Sequence, residues 1–164
     1  VLANQGVTAA YIDLLKRLYA NQYAVVQTEV LSREFPLNRG AKQGDPISAL
    51  LFIAVLEQCM STIKAKWHKA NSRRSGHPFG MEVAGALTTL TNLRFADDIL
   101  LIAQSSSDVA KMLRDLQSEA AKYGLKINTD KTKVLQMDPL SCQLKRLPLH
   151  SSFVDVLASN AMEK

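Results

Sequence analysis

The sequence predicts an α+β fold, in which helices pack against a few short strands. Two observations support this class. Apolar residues recur at helical spacing in three separate segments, and shorter β-prone runs lie between and after those segments. The 164 residues, of which 47% are hydrophobic and 21% charged, are enough for one globular domain with a buried core.

The first half of the chain predicts a helix, an extended region and a second helix. Residues 7–21 place apolar side chains on one face, with Thr8 as the N-cap. Residues 23–38 change to short β-prone runs, which form either a hairpin or two extended strands. Pro46 begins the second helix, which runs to about Trp67. Because its first half is apolar on nearly all sides, we expect that half to be buried against a sheet.

The second half predicts short strands and one further helix. That helix starts at the Ser-Ser-Ser-Asp run 105–108 and stops at Gly124, a residue type that commonly ends helices. Short strands are expected at 80–83, 89–95, 99–103, 125–128, 130–135 and 152–157.

Asp97 and Asp98 stand side by side inside the otherwise apolar run 93–103. Burial of an ionised carboxylate costs several kcal/mol unless a partner neutralises it, and neighbouring carboxylates repel each other. A tight turn with residues 96–98 at its tip, between the strands 89–95 and 99–103, resolves both problems. Exposed carboxylates there can hold Mg²⁺, which takes oxygen ligands. The alternative is an ordinary turn, since Asp is common in turns for its own backbone hydrogen bonds.

The loop 39–48 contains Gly40 and Gly44 with cationic residues around them, and it leads directly into a helix start. Glycine permits close approach of a backbone or flat ligand, and Arg39 and Lys42 can meet phosphate. Asp45 can cap the free N–H groups of the following helix. The alternative is an ordinary glycine loop with solvated charges.

The formal net charge of +5 and a pI near 9.3 favour an anionic partner such as nucleic acid. In the basic linker 64–78, cations around Trp67 could hold a nucleic-acid backbone while the ring stacks on a base. A solvated helix end followed by a loop is an equal alternative. His68 and His77 have no partner at metal-ligand spacing.

Two cysteines, Cys59 and Cys142, are too few for a metal cluster or a disulfide framework, so we expect a reducing intracellular compartment, nuclear or cytoplasmic. No apolar run approaches the length of a membrane span, and no signal peptide precedes the first helix, so no membrane partner is expected. The chain opens on Val1, which suggests a piece of a longer polypeptide.

Three segments together resemble a known family. Arg39-Gly-Ala-Lys-Gln-Gly-Asp-Pro46, Phe95-Ala-Asp-Asp98 and the segment Tyr123-Gly-Leu-Lys-Ile-Asn128 followed by Lys131-Thr132 are similar to the second, third and fourth palm motifs of reverse transcriptases. The similarity is closest to the non-LTR (LINE-type) retrotransposon group. Their order and the helices between them make the combination specific, and it covers roughly residues 1–135.

The resemblance implies a polymerase palm, a small antiparallel sheet backed by helices with the Asp-Asp hairpin at its tip. It also implies template-directed nucleotidyl transfer with two metal ions, Mg²⁺ or Mn²⁺. Asp97 matches the main metal ligand and Asp98 its less strictly required neighbour. Lys131, with Lys126 as the alternative, matches a lysine that neutralises or protonates pyrophosphate.

The same resemblance implies contacts with substrates. Phe95 occupies the aromatic position beside the primer end, and Gln43 and Gly44 match residues that line the template and incoming nucleotide. Arg39 joins this nucleotide- and template-binding group. The implied partners are an RNA template, a DNA primer and deoxynucleoside triphosphates, together with the fingers and thumb of a parent polypeptide.

The sequence also departs from the family pattern. No apolar strand with an embedded Asp precedes Asp13, although the family completes its metal site with such an Asp. The primer-gripping segment expected near 152–159 lacks its second aromatic residue and its Gly. We therefore divide the chain into a partial palm, 1–138, and a poorly defined tail, 139–164, and expect no catalysis by this chain alone. The alternative function is a non-catalytic nucleic-acid-binding or scaffold remnant of a reverse transcriptase.

Overall fold

A computed structural model describes residues 1–37, 40, 44–137 and 144–147. A short 3₁₀ helix, Leu2–Gln5, precedes the regular elements. These are α1 (Ala9–Tyr19), β1 (Tyr23–Ala24), β2 (Phe35–Pro36), α2 (Pro46–Asn71), β3 (Asn92–Phe95), β4 (Asp98–Leu101), α3 (Ser106–Ala121), β5 (Val134–Met137) and β6 (Leu144–Leu147).

The described strands form three separate antiparallel pairs, β1–β2, β3–β4 and β5–β6. Helices and small antiparallel sheets confirm the predicted α+β class. The chain divides into two compact units, Val1–Val55 and a second unit that begins at Leu56. The boundary falls inside α2, so residues 46–55 of that helix belong to the first unit and residues 56–71 to the second.

In the first unit, α1 confirms the helix predicted over 7–21. Thr8 occupies the N-cap position, but its side chain makes no capping hydrogen bond; its backbone oxygen instead accepts from the amides of Tyr11 and Ile12. Tyr23 pairs with Pro36 and Ala24 with Phe35, which confirms two short extended strands in the region 23–38.

Helix α2 begins where the sequence predicts, but its first half is more exposed than predicted. The Oδ1 atom of Asp45 accepts the amide of Ile47 at 2.9 Å, so Asp45 caps the helix as expected. The first half was predicted to be buried against a sheet. Leu50 is 66% exposed and Ile53 is 48% exposed, so this prediction is wrong. The physical reason is that the described strands pair only in twos, which leaves no broad sheet to cover this half.

The length and composition of α2 would allow it to cross a membrane, with a mean hydropathy of 1.6 over its most apolar 18-residue window. The sequence-based statement that no run approaches such a length is therefore wrong. The same test is passed by core helices of water-exposed domains. In the structure 22% of that window is buried, and its buried apolar residues include Leu56, Cys59, Met60 and Ile63, all in the second half of α2.

The core of the second unit lies between the second half of α2 and one face of α3. The α3 face contributes Met112, Leu113, Leu116 and Ala120, and Phe79 from the connecting loop is fully buried beside them. Complete removal of such side chains from water contributes about 1.5–3 kcal/mol each. This core therefore provides most of the hydrophobic stabilisation that the described residues show.

Polar contacts fasten the same two helices. The carboxylate of Asp115 on α3 accepts a hydrogen bond from the indole N–H of Trp67 at 2.9 Å. It also forms an ion pair with Lys66, with Nζ and Oδ1 2.5 Å apart. At the other end, Arg74 donates to both oxygens of Asp108, at 2.9 and 3.3 Å. Each carboxylate therefore ties α3 to α2 or to the segment that follows it.

Cys59 is a free, buried cysteine in this core. Burial raises the pKa of its thiol, and the nearby carboxylate of Glu119 raises that pKa further. The neutral thiol is therefore favoured, and Cys59 behaves as a small apolar core residue.

Both ends of α3 follow from local sequence. The Oγ atom of Ser105 accepts the amide of Asp108 at 3.1 Å, which is an N-terminal cap. At the other end Gly124 has φ of 73°, and the amide of Leu125 returns to the oxygen of Ala120. This arrangement is typical of a helix that ends in glycine. The helix predicted over 105–124 is confirmed.

Several predicted strands differ from the structure. The segment 80–83 forms only an isolated bridge between Met81 and Leu90. Residues 125–128 are not a strand, because the Ile127 amide donates to the side chain of Gln117. The strand predicted from 130 begins at Val134, since a turn headed by Asn128 occupies the residues before it. Strand β6 was not anticipated, and the strand predicted at 152–157 lies outside the described residues.

Candidate active site on the β3–β4 hairpin

The Asp-Asp segment forms the predicted hairpin with a shorter turn than expected. In the register, Asn92 faces Leu101, Leu93 faces Leu100, Arg94 faces Ile99 and Phe95 faces Asp98. Only Ala96 and Asp97 therefore form the turn, and Asp98 is the first residue of β4. The three-residue tip predicted at 96–98 is corrected to two residues, which is the connection that best matches the twist of paired strands.

Ala96 has φ of +51° in this turn. A positive φ at the first central residue, followed by a negative φ at the second, is the pattern of a type II′ turn. Glycine is usual at this position, and an L-residue there costs about 1 kcal/mol. The turn holds Asp97 at the outermost point of the hairpin.

The two faces of the hairpin differ in their surroundings. Because side chains alternate along strands, Phe95 and Asp98 share one face with Leu93 and Leu100. This outer face is open: Phe95 is 84% exposed, and Leu93 and Leu100 are each about half exposed. The opposite face carries Arg94. An exposed aromatic ring and a carboxylate therefore stand side by side on the outer face.

The carboxylates of Asp97 and Asp98 are exposed, and within the described part of the chain no hydrogen bond or ion pair engages either of them. Their oxygens are the ligand type that Mg²⁺ and Mn²⁺ accept, with substrate phosphates able to complete the shell. No group of three or more His, Cys, Asp or Glu residues suited to a metal ion occurs among the described residues. The chain thus offers two oxygen ligands at this position and no described third.

Of the other predicted site residues, the structure describes Gly44 and Lys131. Gly44 belongs to the first unit and has φ of +84°, a conformation that favours glycine. Arg39 and Gln43 lie outside the described residues. Lys131 is exposed, and its amide donates to Oδ1 of Asn128 at 3.2 Å. Phe95, Asp97 and Asp98 are the predicted residues that the structure brings together.

The stacking role considered for Trp67 is wrong. The ring is only 1% exposed, and its N–H is used by Asp115. Trp67 is therefore a core residue, and the basic residues around it belong to the exposed end of α2. This outcome agrees with the alternative of a solvated helix end.

Sequence reasoning missed one contact of the hairpin. Arg94 forms an ion pair with Glu57 of α2, with Nη1 and Oε2 2.7 Å apart. A charged residue in the middle of a predicted apolar strand was the available signal, because such a residue usually has a partner. The identity of that partner required the three-dimensional structure.

Comparison with known proteins shows which family the chain belongs to. The reverse transcriptase (RNA-dependent DNA polymerase) family matches residues 4–151. The chain is 32% identical over 127 residues, 77% of its length, to the retrovirus-related Pol polyprotein of a type-2 retrotransposable element of Drosophila melanogaster. It is 28% identical over 144 residues, 87% of its length, to the corresponding polyprotein of a type-1 retrotransposable element of Nasonia vitripennis.

A third relative matches a shorter segment of the chain with higher sequence identity. Over 47 residues, or 29% of this chain, the sequence is 57% identical to an uncharacterised transposon-derived protein of Caenorhabditis elegans. The chain spans 17% of that protein and 11% and 12% of the two Pol polyproteins. No solved structure matches the chain. The family match and the two Pol polyproteins confirm the predicted similarity to reverse transcriptases of retrotransposons.

Proposed function

Because the chain belongs to the reverse transcriptase family, we propose that it is part of an RNA-directed DNA polymerase from a retrotransposon and that its β3–β4 hairpin carries the metal-binding carboxylates. One observation carries the proposal. Asp97 and Asp98 stand exposed at the tip of a hairpin, beside an aromatic ring that is 84% exposed, in a segment that the family match covers. A structural turn has no need of two unpaired neighbouring carboxylates.

The proposed architecture is a partial palm over residues 1–138, followed by the tail 139–164. In this reading the hairpin is the catalytic edge of the palm, and α2 and α3 are the helices behind it. The core between these helices supports the assignment, since it leaves residues 95–98 exposed within the described part of the chain.

The proposed substrates are an RNA template, a DNA primer and deoxynucleoside triphosphates. Asp97 and Asp98 would hold Mg²⁺ or Mn²⁺, which, when bound, supplies stabilisation of charge on the transferring phosphoryl group. Phe95 would lie beside the primer end, and Lys131 would face the pyrophosphate. Arg39, Gln43 and Gly44 would contact template and nucleotide. The place of action that follows from this chemistry is inside the cell, in the nucleus or the cytoplasm.

The described residues also support the proposal that this chain alone does not polymerise. Two carboxylates are available at the hairpin, and no described third acidic residue joins them in a metal-binding group. Two ligands hold a pair of divalent cations weakly, because Mg²⁺ keeps its waters unless carboxylates and phosphates replace them. Fingers and thumb, which the family resemblance implies, would be supplied by a longer polypeptide.

Metal binding and primer extension together test the proposal. We expect Mn²⁺ to bind the 164-residue chain, detected by electron paramagnetic resonance, and Asp97→Asn to weaken this binding roughly tenfold, or about 1.4 kcal/mol. The control is Asp13→Asn, since Asp13 is exposed and already paired with Arg17. Equal Mn²⁺ affinity in wild type and Asp97→Asn would overturn the site.

Primer extension on an RNA template with Mg²⁺ tests the expected inactivity. We expect no incorporation by this chain, and incorporation that disappears in Asp97→Asn would contradict that expectation. One observation favours a second candidate function, a nucleic-acid-binding or scaffold remnant. Lys64, Lys69 and Arg73 are exposed near the end of α2, and no described acidic residue pairs with them. RNA binding without Mn²⁺ binding would favour this candidate.

A further inference from the structure

We propose that Arg94 and Glu57 form a positioning pair that holds the β3–β4 hairpin against α2 and so fixes the place of Asp97 and Asp98; the inference rests on the function proposed for those carboxylates. Nη1 of Arg94 lies 2.7 Å from Oε2 of Glu57. The Arg94 side chain is 25% exposed and the Glu57 side chain 50% exposed, so the pair is partly withdrawn from water.

The position of Arg94 in the register makes it suitable for this role. Arg94 faces Ile99, and the next pair toward the tip is Phe95 with Asp98. Because neighbouring pairs point to opposite faces, Arg94 reaches α2 from the back of the hairpin while Phe95 and Asp98 remain on the open face. The contact therefore restrains the hairpin without covering the carboxylates.

The hairpin needs such a restraint. A two-stranded sheet is marginally stable by itself, and among the described strands β3 and β4 pair only with each other. At the base of the hairpin, the amide of Ile102 donates to the oxygen of Thr91 at 2.9 Å, and Thr91 is buried. Toward the tip, residues 95–98 are all exposed. Within the described part of the chain, the pair with Glu57 is the ion pair that the hairpin makes with a helix.

The charge of the pair matters as well as its geometry. Arg94 is three residues from Asp97, and a free guanidinium there would compete with a divalent cation for the carboxylates. Glu57 directs this guanidinium toward α2 and neutralises it. An Arg–carboxylate pair also fixes orientation through its planar donors, which a lysine does not reproduce.

Amide hydrogen exchange of the 164-residue chain tests the restraint, and Mn²⁺ affinity tests its consequence. Hydrogen-bonded pairs alternate along an antiparallel ladder, so the bond between Ile102 and Thr91 makes Leu93 and Leu100 the next bonded pair. We expect Glu57→Gln and Arg94→Gln each to accelerate exchange at the Leu93 and Leu100 amides about two- to fivefold. We expect Glu57→Gln, which also frees the Arg94 guanidinium, to weaken Mn²⁺ binding about threefold, and Arg94→Gln, which loses only the restraint, to weaken it less.

The decisive variant exchanges the two charges, Glu57→Arg with Arg94→Glu. We expect slow exchange to return in this double variant, because the ion pair is rebuilt with its ends reversed. Arg17→Gln is the matched control, since it removes an ion pair of α1 that is exposed on both sides and should leave the hairpin amides unchanged.

Three outcomes would overturn the proposal: unchanged amide exchange in both single variants, no recovery of slow amide exchange in the charge-swapped double variant, or unchanged Mn²⁺ affinity in Glu57→Gln although its hairpin amides exchange faster. Failure of the proposed function is separate from these. It would appear as wild-type chain that binds Mn²⁺ no better than Asp97→Asn, and the exchange rates would then decide the positioning pair by themselves.

Discussion

The core between the second half of α2 and α3, here called the joint, lies in the same unit as the β3–β4 hairpin. The two regions differ in how far their side chains are buried. The joint consists of the buried side chains of Cys59, Met60, Ile63 and Trp67 and of the α3 face against them; Trp67 is 1% exposed. In the hairpin the largest side chain is Phe95, at 84% exposure. Sequence alone suggests the opposite exposures, since Trp67 lies in a basic stretch and Phe95 in an apolar run.

The carboxylates of the two regions differ in the same way. In the joint, Asp108 and Asp115 accept hydrogen bonds from Arg74 and Trp67 and thereby connect elements. In the hairpin, Asp97 and Asp98 have no such described bond. The comparison teaches that packing and available polar chemistry are separated in this unit: the joint holds the buried apolar contacts, and the hairpin keeps its carboxylates exposed.

Removal of the Trp67 side chain should have the largest effect on stability. Trp67→Ala leaves a cavity and deprives Asp115 of a donor, and we expect the free energy of unfolding to fall by about 3–5 kcal/mol. Trp67→Phe is the control, because it keeps an aromatic ring and much of the volume while it loses the N–H and part of the indole. Urea unfolding followed by circular dichroism measures both. A loss below about 1 kcal/mol in Trp67→Ala would mean that the joint is not the main source of stability.

Gly80 and Gly85 allow a matched test of close packing beside the joint. Both have positive φ, of 91° and 78°. A Cβ at Gly80 would lie 2.7 Å from the oxygen of Leu90, whereas a Cβ at Gly85 meets open space. We expect Gly80→Ala to cost about 2–4 kcal/mol and Gly85→Ala about 1 kcal/mol. Equal losses in urea unfolding would show that backbone conformation alone, and not the contact with Leu90, determines the cost.

The smallest effect on stability is expected at the hairpin tip. Asp97→Asn removes a charge that no described partner uses, so the free energy of unfolding should change by less than about 0.5 kcal/mol. Asp115→Asn is the comparison in the joint, where it weakens bonds to Trp67 and Lys66 and should cost about 1–2 kcal/mol. A larger loss for Asp97→Asn than for Asp115→Asn, in the same urea experiment, would reverse the comparison.

Local sequence signals were sufficient for part of this structure. The Ser105 cap, Gly124 beyond the last turn of α3, and Asp45 with Pro46 at the start of α2 each satisfy backbone groups within a few residues. Such interactions can be inferred from sequence because they do not depend on the rest of the fold. The hairpin was predictable for a related reason, since two adjacent carboxylates rarely remain in a buried strand.

Features that depend on distant partners could not be predicted. Burial of Trp67 required α3 to supply Asp115, 48 positions away. The pairing of Arg94 with Glu57 likewise required the hairpin to lie beside α2. The exposure of Leu50 and Ile53 was missed because an apolar helix face predicts burial only where another element covers it.

The single tryptophan of the chain gives the α2–α3 joint its own optical signal. The Trp67 indole packs beside Phe79, with ring centroids 6.4 Å apart, and donates its N–H to the carboxylate of Asp115. Tryptophan emission from the intact chain therefore reports whether water has reached the joint. A fluorophore attached near Ala96, with emission distinct from that of tryptophan, would report on the hairpin. Opening of the hairpin and unfolding of the core could then be followed separately in one sample.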